Sequence, residues 1–204
     1  FCNHICAYCD FMRCVYQTSL AQKWLNAIQK ELSTKTEEAI QSVYIGGGTP
    51  SALSHAQLSR LLAMLQPWIQ QAKEITIEAN ADSFDQAKIA ICKEYGVNRV
   101  SLGAQSFDPV LLQRMGRIAD EAMIRSCIDH LHQMGIHQIS LDLIYGLPDQ
   151  TMAQWVRDLR KACALPITHL SLYALTIEEH SRFGREHVAP CEAELEADFY
   201  EAAL

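Results

Sequence analysis

The sequence predicts an α/β fold built on a parallel sheet, and three observations predict it. Strand-like and helix-like patterns alternate five times with no linker-like stretch between them, the strand segments are apolar on one parity only, and glycine turns punctuate the alternation. Alternation alone allows a (β/α) barrel or an open doubly wound sheet. The parity argues for the barrel. Ile75 and Ile77, Val100 and Leu102, Ile139, Leu141 and Leu143, and Leu170 and Leu172 fall on one side of their strands. The other side carries Thr76, Glu78 and Asn80; Ser101, Gly103 and Gln105; Ser140, Asp142 and Ile144; and Ser171 and Tyr173. A filled barrel would carry branched apolar residues inward as well as outward. Successive strand residues face opposite ways, so Glu78, Gln105 and Asp142 converge on one polar interior, which suits a polar ligand better than three unrelated core polars.

The elements follow in order. Cys2, Cys6 and Cys9 open the chain as C-x3-C-x2-C. Leu20, Trp24, Leu25, Ile28 and Leu32 recur at helical spacing from about Ser19 to Leu32. Val43 to Ile45 reads as a strand that breaks at Gly46-Gly47-Gly48-Thr49-Pro50. Ser54 with Gln57 forms a capping-box signature ahead of Leu58, Leu61, Leu62, Leu65 and Ile69. A strand over Glu74 to Ala79 precedes a helix capped by Asp82, carrying Phe84, Ala87, Ile91 and Tyr95 and stopped by Gly96. Arg99 to Gln105 is a strand, and Asp108-Pro109 starts a short helix ended by Gly116. A helix through Ile124, Cys127, Ile128, Leu131 and Met134, a strand from Gln138 to Tyr145, a helix through Trp155, Leu159 and Cys163, and a strand from His169 to Tyr173 complete the pattern.

Composition narrows the function. A chain of 204 residues, 49% hydrophobic, buries a sizeable core, and no run of about eighteen apolar residues suggests a membrane span. Net charge is -7 and the Lys and Arg are scattered, which argues against nucleic acid as a partner. Cys92, Cys127 and Cys163 fall at core-facing helix positions as small buried hydrophobes, Cys14 and Cys191 are incidental, and unpaired cysteines point to a cytoplasmic protein. His130, His132 and His137 read as solvated rather than as a metal cluster, His169 and His180 as surface or cap residues, and Glu178-Glu179, Glu192, Glu194 and Glu196 as solvated acidic faces.

Zinc is the first rival for the three cysteines, but a closed zinc site takes four protein ligands, commonly as two separated pairs, and no second C-x2-C follows. Three thiolates on a short loop suit three irons of a cubane [4Fe-4S] cluster with the fourth iron open.

This spacing, with Tyr8 directly before the third cysteine, resembles the cluster loop of the radical S-adenosylmethionine (SAM) superfamily, and Gly46 to Pro50 resembles that superfamily's second signature. More narrowly, Ile77-Glu78-Ala79-Asn80, Gly96 to Phe107, Gly116-Arg117 and Asp142 to Thr151 resemble the family of oxygen-independent coproporphyrinogen III oxidase, which includes a heme-chaperone branch. The resemblance implies a partial (β/α)6 radical SAM barrel, truncated at both ends, with residues 1–204 as one core domain lacking its first strand and a C-terminal domain. Left without that first strand, the piece is expected to carry an open edge beside the GGGTP strand and to be unstable alone.

The resemblance also implies roles. Cys2, Cys6 and Cys9 would ligate the cluster, Tyr8 would lie against the adenine, and Gly47, Gly48 and Thr49 would hold the methionyl end of SAM. Glu78 would bond a ribose hydroxyl, Gln105 and Asp142 would complete the polar lining, Arg117 would pair with a SAM carboxylate, and Ile144 would pack near the adenine. The implied chemistry is reductive cleavage of SAM to methionine and a 5′-deoxyadenosyl radical, with a flavodoxin- or ferredoxin-type electron donor. In the oxidase branch this leads to decarboxylation of porphyrinogen propionates. In the chaperone branch the protein binds heme and passes it to acceptors such as respiratory enzymes. The oxidase branch carries a further cysteine two residues after the third ligand; here that position is Phe11, and Cys9-Asp10-Phe11 resembles the chaperone branch. Ala81 replaces the proline usual after Glu-Ala-Asn.

Overall fold

The computed structural model describes residues 1–35 and 40–204. Five parallel strands, β1 (Ser42–Ile45), β2 (Glu74–Ala79), β3 (Arg99–Gln105), β4 (Gln138–Tyr145) and β5 (His169–Ala174), lie side by side in chain order. The helices are α1 (Thr18–Leu32), α2 (His55–Ile69), α3 (Gln86–Glu94), α4 (Pro109–Met115), α5 (Glu121–Gln133), α6 (Met152–Cys163), α7 (Arg182–Arg185) and α8 (Ala193–Glu201). The sheet is open rather than closed, a partial barrel in which each parallel step is made by a helical crossover.

The parity read from the sequence sets the register. Ile45, Ile77, Val100 and Ile139 pair as one row, and Ala79, Leu102, Leu141 and Leu170 as the next. Against these rows pack Leu58, Leu61 and Leu62 of α2, Ile89 and Cys92 of α3, Ile124, Cys127, Ile128 and Leu131 of α5, and Trp155 of α6. Each fully buried aliphatic side chain contributes about 1.5–3 kcal/mol relative to exposure, so this layer is the main source of stability. Trp155 also donates its indole N–H to the Phe199 carbonyl at 2.8 Å, tying α8 to α6.

The capping box at Ser54 and Gln57 forms as the sequence predicts, Asp108 caps α4 with Pro109 in the first turn, and Gly116 ends it in the left-handed region. Three expectations fail. Asp85, not Asp82, caps α3, accepting from the Lys88 N–H; Phe84 is buried but precedes the helix, because Ser83 bonds back to the Asn80 carbonyl and holds that stretch as a turn. Cys163 is exposed, since the buried stripe of α6 passes through Trp155, Asp158 and Ala162 and leaves the last residue facing out. In α1 the buried line is Ala21 and Leu25, while Leu20 and Trp24 are over a third exposed. Cys92 and Cys127 are buried as expected, and burial pushes both thiols up to about 12.

Candidate functional site

The cysteine loop is closed at its base by backbone bonds. The Cys2 N–H donates to the Cys14 carbonyl at 3.0 Å and the Tyr16 N–H to the Cys2 carbonyl at 2.8 Å, so Cys14 is part of the loop's frame through its backbone. At the crown, the Ala7 N–H donates to the Met115 carbonyl at 2.8 Å and the Phe183 N–H to the Ala7 carbonyl at 2.9 Å. These anchors hold the loop over the C-terminal ends of the strands. Cys2, Cys6 and Cys9 are half-buried free thiols.

Below them opens a cavity of about 500 Å³ that all twelve predicted site residues line: Cys2, Cys6, Tyr8, Cys9, Gly47, Gly48, Thr49, Glu78, Gln105, Arg117, Asp142 and Ile144. Its floor is polar and held in place. Glu78 accepts from the Tyr44 hydroxyl at 2.7 Å and from the Gly47 N–H at 3.0 Å. Ser101 donates to Asp142, 3.1 and 3.0 Å from its two oxygens. Burial pushes the Asp142 carboxyl up; the nearby Glu78 charge adds to this, and the serine bonds oppose it. Asn80 accepts from Arg117 at 2.9 Å and donates to the Thr49 hydroxyl at 3.3 Å.

The cysteines meet this floor through two side chains. Thr49 Oγ1 lies 3.5 Å from Cys2 Sγ, and Arg117 Nη1 lies 3.8 Å from Cys6 Sγ. On the other side Ile144 and Tyr8 join a small apolar cluster with Ala7, Leu112 and Leu147, separate from the main core. The cavity is therefore lined by both apolar and acidic side chains, as polar-ligand pockets commonly are.

Glycine has specific work in the turn after β1. A Cβ on Gly48 would stand 2.5 Å from the Phe1 nitrogen, and Gly47 has φ +116°, a conformation side chains rarely adopt. Gln105 sits at a register shift in β3 with φ +70°, strain of the kind that collects at functional sites.

Several residues escaped the sequence reading. Tyr44 shares the face of Thr76 and Glu78 in the register, and its place between Val43 and Ile45 was the signal. Lys88 is buried and donates to the Ser51 and Ser83 carbonyls at 2.7 and 2.8 Å, pinning the loops after β1 and β2 to each other. Glu178, read as a solvated face, is exposed but stands at the cavity rim. His132 and His137 form a pair, Nδ1 to Nδ1 at 2.8 Å, with His132 Nε2 against the Pro166 carbonyl at 2.7 Å. Among the described residues no three His, Cys, Asp or Glu side chains gather as ligands of a metal ion. The three thiols line one cavity together.

The model of the radical SAM superfamily matches residues 1–162. The chain belongs to the radical SAM superfamily. Membership implies a [4Fe-4S] cluster and SAM, and the residues present fit both. Three free thiols face a cavity in which the nitrogens of His4 and the Arg117 Nε are buried without a hydrogen-bond partner, as groups awaiting a polar ligand would be.

The heme chaperone HemW of Bacillus subtilis is 35% identical over 217 residues, covering 100% of this chain and 57% of that protein. HemW of Lactococcus lactis is 37% identical over 185 residues, 90% of this chain and 49% of that one, and an anaerobilin synthase of Escherichia coli O157:H7 is 31% identical over 91% of this chain and 43% of its own. This radical SAM chain thus spans about half the length of the curated relatives it matches. Among solved structures, coproporphyrinogen III oxidase (HemN) from Escherichia coli superposes with a TM-score of 0.88 at 25% identity, covering 98% of this chain and 48% of that one. The methyltransferase TsrM from Kitasatospora setae, solved with cobalamin and a [4Fe-4S] cluster bound, shares the fold with a TM-score of 0.67 at 15% identity, covering 91% of this chain and 37% of that one. Among the described residues, no helix is long and apolar enough to cross a membrane.

Proposed function

We propose that this chain is the cluster- and SAM-binding core of a heme chaperone, which holds heme as cargo and passes it to acceptor proteins. The observation that carries this reading is the flank of the cysteine loop. Where an oxidase is expected to show a further cysteine, Phe11 lines the cavity 74% exposed and is followed by Met12, 99% exposed, offering apolar surface beside the loop rather than another thiol. The similarity to proteins named heme chaperone, extending over nine-tenths or more of the chain, supports it.

In this reading Cys2, Cys6 and Cys9 hold three irons, and Thr49 and Arg117 lie against the thiolates of Cys2 and Cys6. Arg117 is positioned by Asn80 and the Gly103 carbonyl to receive a carboxylate through its remaining N–H groups. Glu78, fixed by Tyr44 and Gly47, accepts a ribose hydroxyl on its free lone pairs, and Asp142 and Gln105 extend the polar floor. When bound and reduced, cluster and SAM supply radical chemistry, with the protein contributing binding, orientation and exclusion of water. A flavodoxin- or ferredoxin-type protein is the proposed electron donor.

The second reading, a coproporphyrinogen III oxidase, draws on the close superposition with HemN. Anaerobic reconstitution with iron and sulfide, followed by heme titration and by a coproporphyrinogen III decarboxylation assay with SAM and reductant, separates the two. Stoichiometric, stable heme binding is expected; decarboxylation without stable heme binding would overturn the chaperone reading.

A further inference from the structure

His4 lies midway between Cys2 and Cys6 and is the one histidine lining the cavity among the described residues. Both of its ring nitrogens are buried without a hydrogen-bond partner. Buried polar groups in folded proteins are nearly always paired, so a ring with both nitrogens unpaired marks a missing partner. Asp82 and Arg117 are its charged neighbours, and neither bonds it. An imidazole carries at least one N–H in either protonation state, whereas thiolate and sulfide sulfurs carry none and only accept. The cavity that the three thiols line therefore holds a donor with no bonded acceptor, and the group those thiols would hold is rich in acceptors.

We infer that His4 donates a hydrogen bond to a sulfur of the cluster or of its cysteine ligands and thereby raises the cluster's reduction potential. The inference rests on the assignment of Cys2, Cys6 and Cys9 as ligands. Reduction adds negative charge to the cluster, and hydrogen bonds to the sulfurs set cluster potentials because they stabilise that charge. Arg117, already 3.8 Å from Cys6 Sγ, and the Thr49 hydroxyl, 3.5 Å from Cys2 Sγ, are donors at the same ligand set, and His4 adds a third from within the loop itself.

The test is a dye-equilibrated reductive titration of the reconstituted protein without SAM, read by EPR. His4→Leu is expected to lower the equilibrium constant for one-electron reduction about tenfold, a shift of about 59 mV to more negative potential, while His4→Gln, which keeps an N–H, stays close to wild type. In wild type labelled with 15N-histidine, pulsed EPR of the reduced cluster should show a weak 15N coupling. Equal potentials for wild type and His4→Leu, or no 15N coupling in wild type, would overturn the inference. Should His4→Leu fail to load iron, the wild-type coupling decides alone. Iron analysis of wild type separates the two levels of failure: no cluster sinks the cysteine assignment, and a cluster without coupling sinks only the role of His4.

Discussion

Replacing Gly48 by Ala tests how the cysteine loop is seated. The added Cβ would lie 2.5 Å from the Phe1 nitrogen, 2.9 Å from its carbonyl oxygen and 3.3 Å from its carbonyl carbon, all backbone atoms that no rotamer change relieves. Phe1 cannot retreat freely, because its carbonyl accepts from the Thr49 N–H at 2.7 Å and the next residue, Cys2, is bonded on both sides to the Cys14 carbonyl and the Tyr16 N–H. Overpacking costs about 1–3 kcal/mol and the strained or lost backbone bond about 1 kcal/mol more, giving roughly 2–4 kcal/mol. With a urea slope of about 1–3 kcal/mol per M, the unfolding midpoint of the apoprotein should fall by about 1 M or more. Because the displacement reaches Cys2, iron uptake on reconstitution should fall with it. An unchanged midpoint together with full iron content would refute the close approach of the GGGTP turn to the cysteine loop.

Tyr44→Phe removes a 2.7 Å bond that fixes Glu78, and a loss of about 1 kcal/mol should weaken SAM binding roughly fivefold by calorimetry with little change in iron content. Cys6→Ala should abolish the cluster; a variant with full iron content and an unchanged spectrum would contradict the ligand assignment. Asp142 has its folded-state carboxyl pushed up by burial, so the folded protein holds that proton more tightly than the unfolded chain and its ionised form opposes folding. The penalty is present above the folded-state value and is relieved as pH falls through it. Asp142→Asn should therefore raise the neutral-pH unfolding midpoint of the apoprotein, shrink the wild-type dependence on pH in that window, and weaken SAM binding; a lower midpoint at neutral pH would contradict this account.

The strands were legible because a sheet buried on one face and polar on the other writes period two into the sequence, and Glu78, Asp142 and Ile144 came from that period alone. Gln105 lines the cavity as its parity predicts, although its strand shifts register between Gly103 and Gln105 and its own backbone is left-handed, features that period two does not announce. The misplaced cap of α3 had two aspartates to choose from, and only the Ser83 turn decides between them. Cys163 fell one position off a stripe that buries Asp158, a residue no apolar pattern would include, held there by the Ser106 hydroxyl and the Phe107 N–H. Long-range bonds such as Lys88 to the Ser51 carbonyl left no mark in local spacing, since a buried lysine looks in sequence like any solvated one.

The cysteine loop and the polar floor line one cavity, which we propose holds a cluster with one iron left open to SAM. EPR of the reduced, reconstituted protein before and after SAM addition tests it most directly. About four irons per chain are expected, with a spectrum that changes on SAM binding in wild type but much less in Arg117→Met. A protein that takes up zinc in place of a cluster, or a reduced spectrum that SAM leaves unchanged, would contradict it.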